Sequence, residues 1–146
     1  MRMGVAGVFA ALTIVLAGVA VGQDDPIAAR EALMKSNSAS SRTAFMMVKG
    51  KIPFDAVAAA AAMQEISKDM ETFPTLFPPG SEQGENTQAS PDIWANMDDL
   101  KALAAQLKID AKTAADAAAN GLDAFTAAFD AVDKDCAACH HKYRSG

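Results

Sequence analysis

From Leu122 to Tyr143 the apolar positions recur in steps of three and four: Leu122, Phe125, Phe129, Val132, Cys136, Cys139 or His140, Tyr143. An α-helix turns once in 3.6 residues, so these steps stack the side chains into a single stripe. A helix with so long an apolar stripe has to bury it against neighbours. Both cysteines of the chain lie on the stripe, inside the closing stretch "DKDCAACHHKYRSG" at 133–146.

The neighbours are also helical. The chain after residue 22 is rich in Ala, Met, Leu, Lys, Asp and Glu, and it carries no alternating strand pattern. A first segment runs from about Asp25 to Lys49, with Pro26 suited to its first turn and Gly50 to its stop. A second follows Pro53 and runs to about Phe73, where Pro74 ends it; its "AAAAA" at 58–62 makes a thin helix. Residues 74–90, "PTLFPPGSEQGENTQAS", read as the one long loop. A third segment opens on Ser90 as N-cap and Pro91 at the first position, and continues to "AANG" at 118–121. The predicted fold is all-α, an antiparallel up-down-up-down four-helix bundle. That topology gathers residues near 27–37, 66–77 and 91–98 around the cysteine end of the last helix.

The N-terminus reads as a targeting segment. Arg2 precedes an 18-residue uncharged apolar run from Gly4 to Val21, and Ala20-Val21-Gly22 offers small residues for cleavage before Gln23. Residues 1–22 are therefore read as a signal peptide that is removed, and 23–146 as one exported, periplasmic domain. Loss of Arg2 leaves 12 Lys+Arg against 18 Asp+Glu, a formal charge near −6. Such a surface argues against nucleic acid and anionic membrane as partners, and no stable membrane insertion is expected.

Three chemistries could use the Cys-x-x-Cys-His knot. A thiol–disulfide couple normally opens a helix in a βαβ setting, where the macrodipole lowers the thiol pKa; this pair closes a helix in an all-α chain. A zinc site would need Cys136, Cys139, His140 and His141 around one ion, but adjacent histidines on a helix point about 100° apart. Covalent attachment of haem suits every residue. Sulfurs at i and i+3 share a helix face and reach two vinyl groups, while His140, four residues after Cys136, can place its imidazole on iron. One haem c per chain is expected.

The second axial position then decides the function. Met34, Met70 and Met97 lie at the same end of the predicted bundle; each could equally be core filler. Arg30, one turn before Met34 on the same face, is either a solvated surface arginine or a buried cation in want of a partner, for which a haem propionate would serve. Trp94 could wall the ring or simply pack in the core, and Arg144 could neutralise charge at the haem edge or cap the helix end. His141 is expected in solvent. No residue is well placed for acid–base chemistry on a substrate, so no enzyme is read here.

The chain resembles the class II cytochromes c, that is, cytochrome c′ and its low-spin relatives. The resemblance covers the whole mature region: "REALMK" in the first helix, "KGKIPFD", "LFPPGS", "SPDIW" opening the third helix, and "CAACHHKYR" at the end. The C-terminal place of the motif is specific, because class I cytochromes carry it near the N-terminus. The resemblance implies thioether bonds at Cys136 and Cys139, iron ligation by His140, Arg30 near a propionate and Met34 over the distal face. High-spin members can carry Met there without bonding iron, whereas low-spin members use it as sixth ligand; "LMKSN" and "KGKIPFD" look more like the low-spin branch. Glu31 stands where many relatives have Gln and is given no role. On this resemblance the chain is expected to be a one-electron carrier serving redox partner proteins. The other reading is a five-coordinate protein binding small gases such as nitric oxide. Homodimerisation through the first two helices is what the family suggests.

Overall fold

The computed structural model describes residues 25–145, so the signal peptide read at 1–22 lies outside the described residues. Four long helices carry the fold: α1 (Pro26–Val48), α2 (Ala56–Thr72), α4 (Met97–Ala117) and α5 (Leu122–Tyr143), with a one-turn α3 (Asp92–Ala95) before α4. Among the described residues there is no strand; one isolated bridge joins Ala89 to Arg144. None of these helices is long and apolar enough to cross a membrane.

The helix ends follow from their capping residues. The Asp25 carboxylate accepts the Ile27 N–H at 2.9 Å, and the Asp55 carboxylate accepts those of Val57 and Ala58. Each satisfies donors that have no intrahelical partner. Gly50 closes α1 in the left-handed region at φ 63°, its N–H on the Met47 carbonyl. Gly121 joins α4 to α5 at φ 96° and ψ 177°, a conformation that is essentially reserved for glycine. Gly121→Ala is expected to destabilise the fold by about 1–3 kcal/mol. A chemical-denaturation midpoint unchanged by that substitution would show that the turn can be rebuilt with a side chain.

The long helix expected from 91 to 121 is in fact broken at Asn96. Its backbone leaves the helix at φ −130° and ψ 38°, and its side-chain amide donates to the Asp92 carbonyl at 2.9 Å. An asparagine amide that bonds the backbone locally competes with the helical ladder. Ser90 does sit at the entry, its hydroxyl accepting the Asp92 N–H at 3.2 Å. The predicted loop gains a short 3₁₀ turn, Phe73–Leu76, which carries α2 past Pro74.

α2 packs most extensively on α4, α4 on α5 and α1 on α2, whereas α1 and α5 barely meet. Ala59, Ala111, Ala114 and Ala118 have no exposed surface, so small side chains let the helices approach closely. Phe125, Met63, Ile66, Leu100 and Val132 are the largest fully buried side chains. Each contributes about 1.5–3 kcal/mol by leaving water. Of the predicted stripe on α5, Phe125, Phe129, Val132 and Tyr143 are buried. Leu122 is not: it is 36% exposed at the first position of α5, where the chain has just emerged from the Gly121 turn.

Candidate haem-binding cleft

The weak contact between α1 and α5 is where the fold opens. A cleft of about 1080 Å³ lies there, floored by Ile66 and Met70 of α2 and by Leu103, Ala104 and Leu107 of α4. Phe73, Phe77 and loop residues 86–89 close one end. Its size is at the upper end of small-molecule and cofactor sites.

The α5 wall presents Cys136, Cys139, His140 and Tyr143. The two thiols are not joined. Desolvation, followed by the charges of Asp133 and Asp135, pushes the Cys136 thiol up to about 11; desolvation and then Asp99 raise Cys139. That is the reverse of what a thiol–disulfide catalyst needs. Desolvation and then the Arg144 charge hold the His140 imidazole below its ordinary value. The neutral form, the one that binds metal, is thereby favoured. The last turn is anchored from α4: Tyr143 donates its hydroxyl hydrogen to the Asp99 carboxylate at 2.6 Å, and Lys142 donates to the same oxygen at 2.8 Å. Among the described residues no cluster of His, Cys, Asp and Glu is built to hold a free metal ion.

The α1 wall presents Arg30 and Met34, one turn apart, both lining the cleft. Arg30 is only 5% exposed. One terminal nitrogen donates to the Leu76 carbonyl at 2.8 Å and the Ser81 hydroxyl at 2.9 Å. The other donates to the Ser81 carbonyl at 2.9 Å and the Thr87 hydroxyl at 3.3 Å. Of the five guanidinium donors, the Nε–H is the one without a partner among the described residues. Phe77 stacks under the cation at 4.8 Å from its ring centre and Trp94 at 5.6 Å. Burial pushes the Arg30 pKa down, opposed by the charges of Asp25 and Glu82.

The remaining sequence candidates divide. Met70 lines the cleft floor, whereas Met97 packs into the cluster around Phe77, Ile93 and Tyr143 and does not. Trp94 is not on the cleft either: it packs edge-on against Phe77 at 5.4 Å and donates its indole N–H to the Pro78 carbonyl. Arg144 is exposed at the rim, its Nε–H donating to the Gln88 side chain at 3.0 Å. Around it the loop is stitched to the chain end, Ser90 N–H on the Tyr143 carbonyl and Ser145 N–H on the Gln88 carbonyl. His141 is exposed. Ser81, Thr87 and Asp99 had no signal in the sequence, because their partners lie 44 to 57 residues away.

The donor set suits a haem. Two thiols three residues apart stand with a histidine on one wall of an apolar cleft, and a thioether and a buried cation stand on the other.

A family model described as cytochrome C′ matches residues 25–144. The chain is 41% identical over 115 residues to a cytochrome c-556 of Agrobacterium tumefaciens (strain II Chrys), covering 79% of this chain and 93% of that protein. It is 33% identical over 139 residues to a cytochrome c′ of Rhodopseudomonas palustris, covering 93% and 92%. Its fold matches the solved cytochrome c′ from Rhodopseudomonas palustris with a TM-score of 0.81 at 29% identity, over 85% of this chain and 98% of that one.

Proposed function

The chain belongs to the cytochrome c′ family, and from that premise we propose that it is a periplasmic one-electron carrier with a low-spin haem c. Cys136 and Cys139 hold the ring through thioether bonds, and His140 and Met34 ligate its iron. When bound, the haem supplies a one-electron ferric/ferrous couple. The chain's own residues do the rest. α5 fixes both sulfurs and the imidazole on one rigid element. Ile66, Met70, Leu103 and Leu107 keep water from the ring. Arg30, which lines the cleft, adds its positive charge there.

One observation carries the choice of Met34: the thioether lines the cleft on α1, the wall across from the Cys136–His140 wall of α5. Met70, the other methionine lining the cleft, sits on the floor and is 5% exposed, packed into the core. Met34→Ala is expected to turn a low-spin ferric EPR spectrum high-spin and to open the iron to carbon monoxide on reduction. Met70→Leu should leave the spin state alone. A wild-type protein that is high-spin and binds carbon monoxide readily would replace this reading with a five-coordinate gas-binding one. Export is tested by the mature N-terminus of the periplasmic protein, expected at Gln23. Redox partner proteins, and a homodimer through α1 and α2, are the associations this reading implies.

A further inference from the structure

Behind the α5 wall lies a titratable group that ligand binding does not use. Asp135 precedes Cys136 and looks across to α4, where the Asp110 carboxyl is within hydrogen-bonding reach. Its Oδ2 is sealed from solvent and has no hydrogen-bond partner among the described residues. The neighbouring cations are all drawn elsewhere: Lys134 to Asp130 and Lys112 to Asp116, each along its own helix, and Lys108 to Glu71 on α2. From α4, Gln106 donates an amide hydrogen to Asp110 Oδ2 at 2.8 Å, adding a dipole but no charge. Among the described residues Asp110 is the only charged group that acts on Asp135; none on α5 itself or on α1, the remaining helix against α5, does so. Two carboxyls in contact without a counter-ion repel each other, so the pair holds a proton to a higher pH than a free carboxyl does.

We propose that the Asp110–Asp135 carboxyl pair between α4 and α5 is a proton-binding site whose occupancy changes with the oxidation state of the haem iron. The inference rests on the one-electron carrier reading. Its electrostatic route is short, because the Asp135 charge is already felt at the Cys136 sulfur, the point of attachment. A haem gaining one electron from a redox partner would remove one positive charge from the site, and the pair would then bind up to about half a proton more from water. Oxidation would return the electron to a partner and that fraction of a proton to water. The buried, like-charged setting holds Asp135 up to about 6, so the exchange falls near neutral pH.

Because the proton is held more tightly in the ferrous protein, the reduction potential falls as pH rises through the titration of the pair. Across pH 5 to 8 the redox equilibrium constant should change by roughly three- to tenfold, a through-space interaction of unit charges at partly screened distance. The experiment is a spectroelectrochemical titration of the haem-loaded wild type, Asp110→Asn and Asp135→Asn over that range, with the Asp135 carboxyl followed by NMR in both oxidation states. The wild-type potential should show the pH-dependent segment and both Asn variants should lose it. The NMR pKa should be higher in the ferrous than in the ferric protein. A segment that persists in both variants, or an Asp135 pKa equal in the two states, overturns the proposal, since a group outside the pair would then be the source. A haem-bearing protein with a flat potential overturns this proposal alone, whereas a purified chain lacking the mass of a haem overturns the carrier reading with it.

Discussion

The double variant Cys136→Ala/Cys139→Ala should be recovered without the added mass of a haem and without fixed tertiary packing. α1 meets α5 only weakly, and between them lies a cleft of about 1080 Å³ walled largely by apolar side chains. A buried void costs about 24 cal/mol per Å³, and a domain holds together by only about 5–15 kcal/mol. Even after a generous reduction for water entering an open cleft, a chain with nothing to fill that space should lose fixed packing along the cleft side of α1, although Ala44 and Met47 still tie α1 to the core it shares with α2. The α2–α4–α5 contacts survive in part, because Met63, Ile66, Phe125 and Val132 belong to the shared core of those helices. The expected outcome is a helical, expanded state: far-UV circular dichroism retained, near-UV signal lost and hydrophobic dye bound. Intact mass and near-UV spectra test this together. A variant with native near-UV signal and no haem would show that the bundle closes the cleft unaided.

The second large effect belongs to Arg30. Arg30→Met keeps much of the length of the side chain and removes four hydrogen bonds at once; the Leu76 and Ser81 carbonyls lose their donor, while the Ser81 hydroxyl keeps its bond to the Pro78 carbonyl and the Thr87 hydroxyl keeps the Ala89 N–H. Leaving such groups buried without a partner costs about 1–3 kcal/mol each, and they are not additive. A loss of about 2–4 kcal/mol in chemical denaturation is expected, as for two buried carbonyls left without a donor. Hydrogen exchange should localise the damage to residues 76–89, the loop that Arg30 ties to α1. Arg30→Lys should rescue little, because an ammonium cannot reproduce the planar two-pronged contact to Leu76 and Ser81. A change below about 1 kcal/mol in Arg30→Met would mean that the loop is held by its other end, through Ser90, Gln88 and the residues around Tyr143.

How much could be read in advance differs by residue. Asp25, Gly50 and Ser90 announced helix boundaries, since a cap acts on N–H groups two or three positions away. Asn96 is of the same residue type as such caps, yet it interrupts a helix; only its bond to the Asp92 carbonyl reveals that. Met34 and Met97 were equal candidates in the chain, and the structure sets Met34 on the cleft and Met97 in the cluster with Tyr143. Trp94, open in the chain between walling a ring and plain core packing, packs edge-on against Phe77.

Sequence alone determined the helices, their stripes and the Cys136–Cys139–His140 spacing, because each depends on residues at most one helical turn apart. It also determined the bundle, since four striped helices with short links have few other ways to bury their faces. The tertiary structure decided where α1 and α5 part to leave a cleft, which methionine stands on its wall, and that four of the Arg30 donors go to a loop about fifty residues away. It also brought Asp110 and Asp135 together from two helices. These are contacts between elements, set by crossing angles and by which side chains are small enough to let backbones approach. No local spacing encodes them.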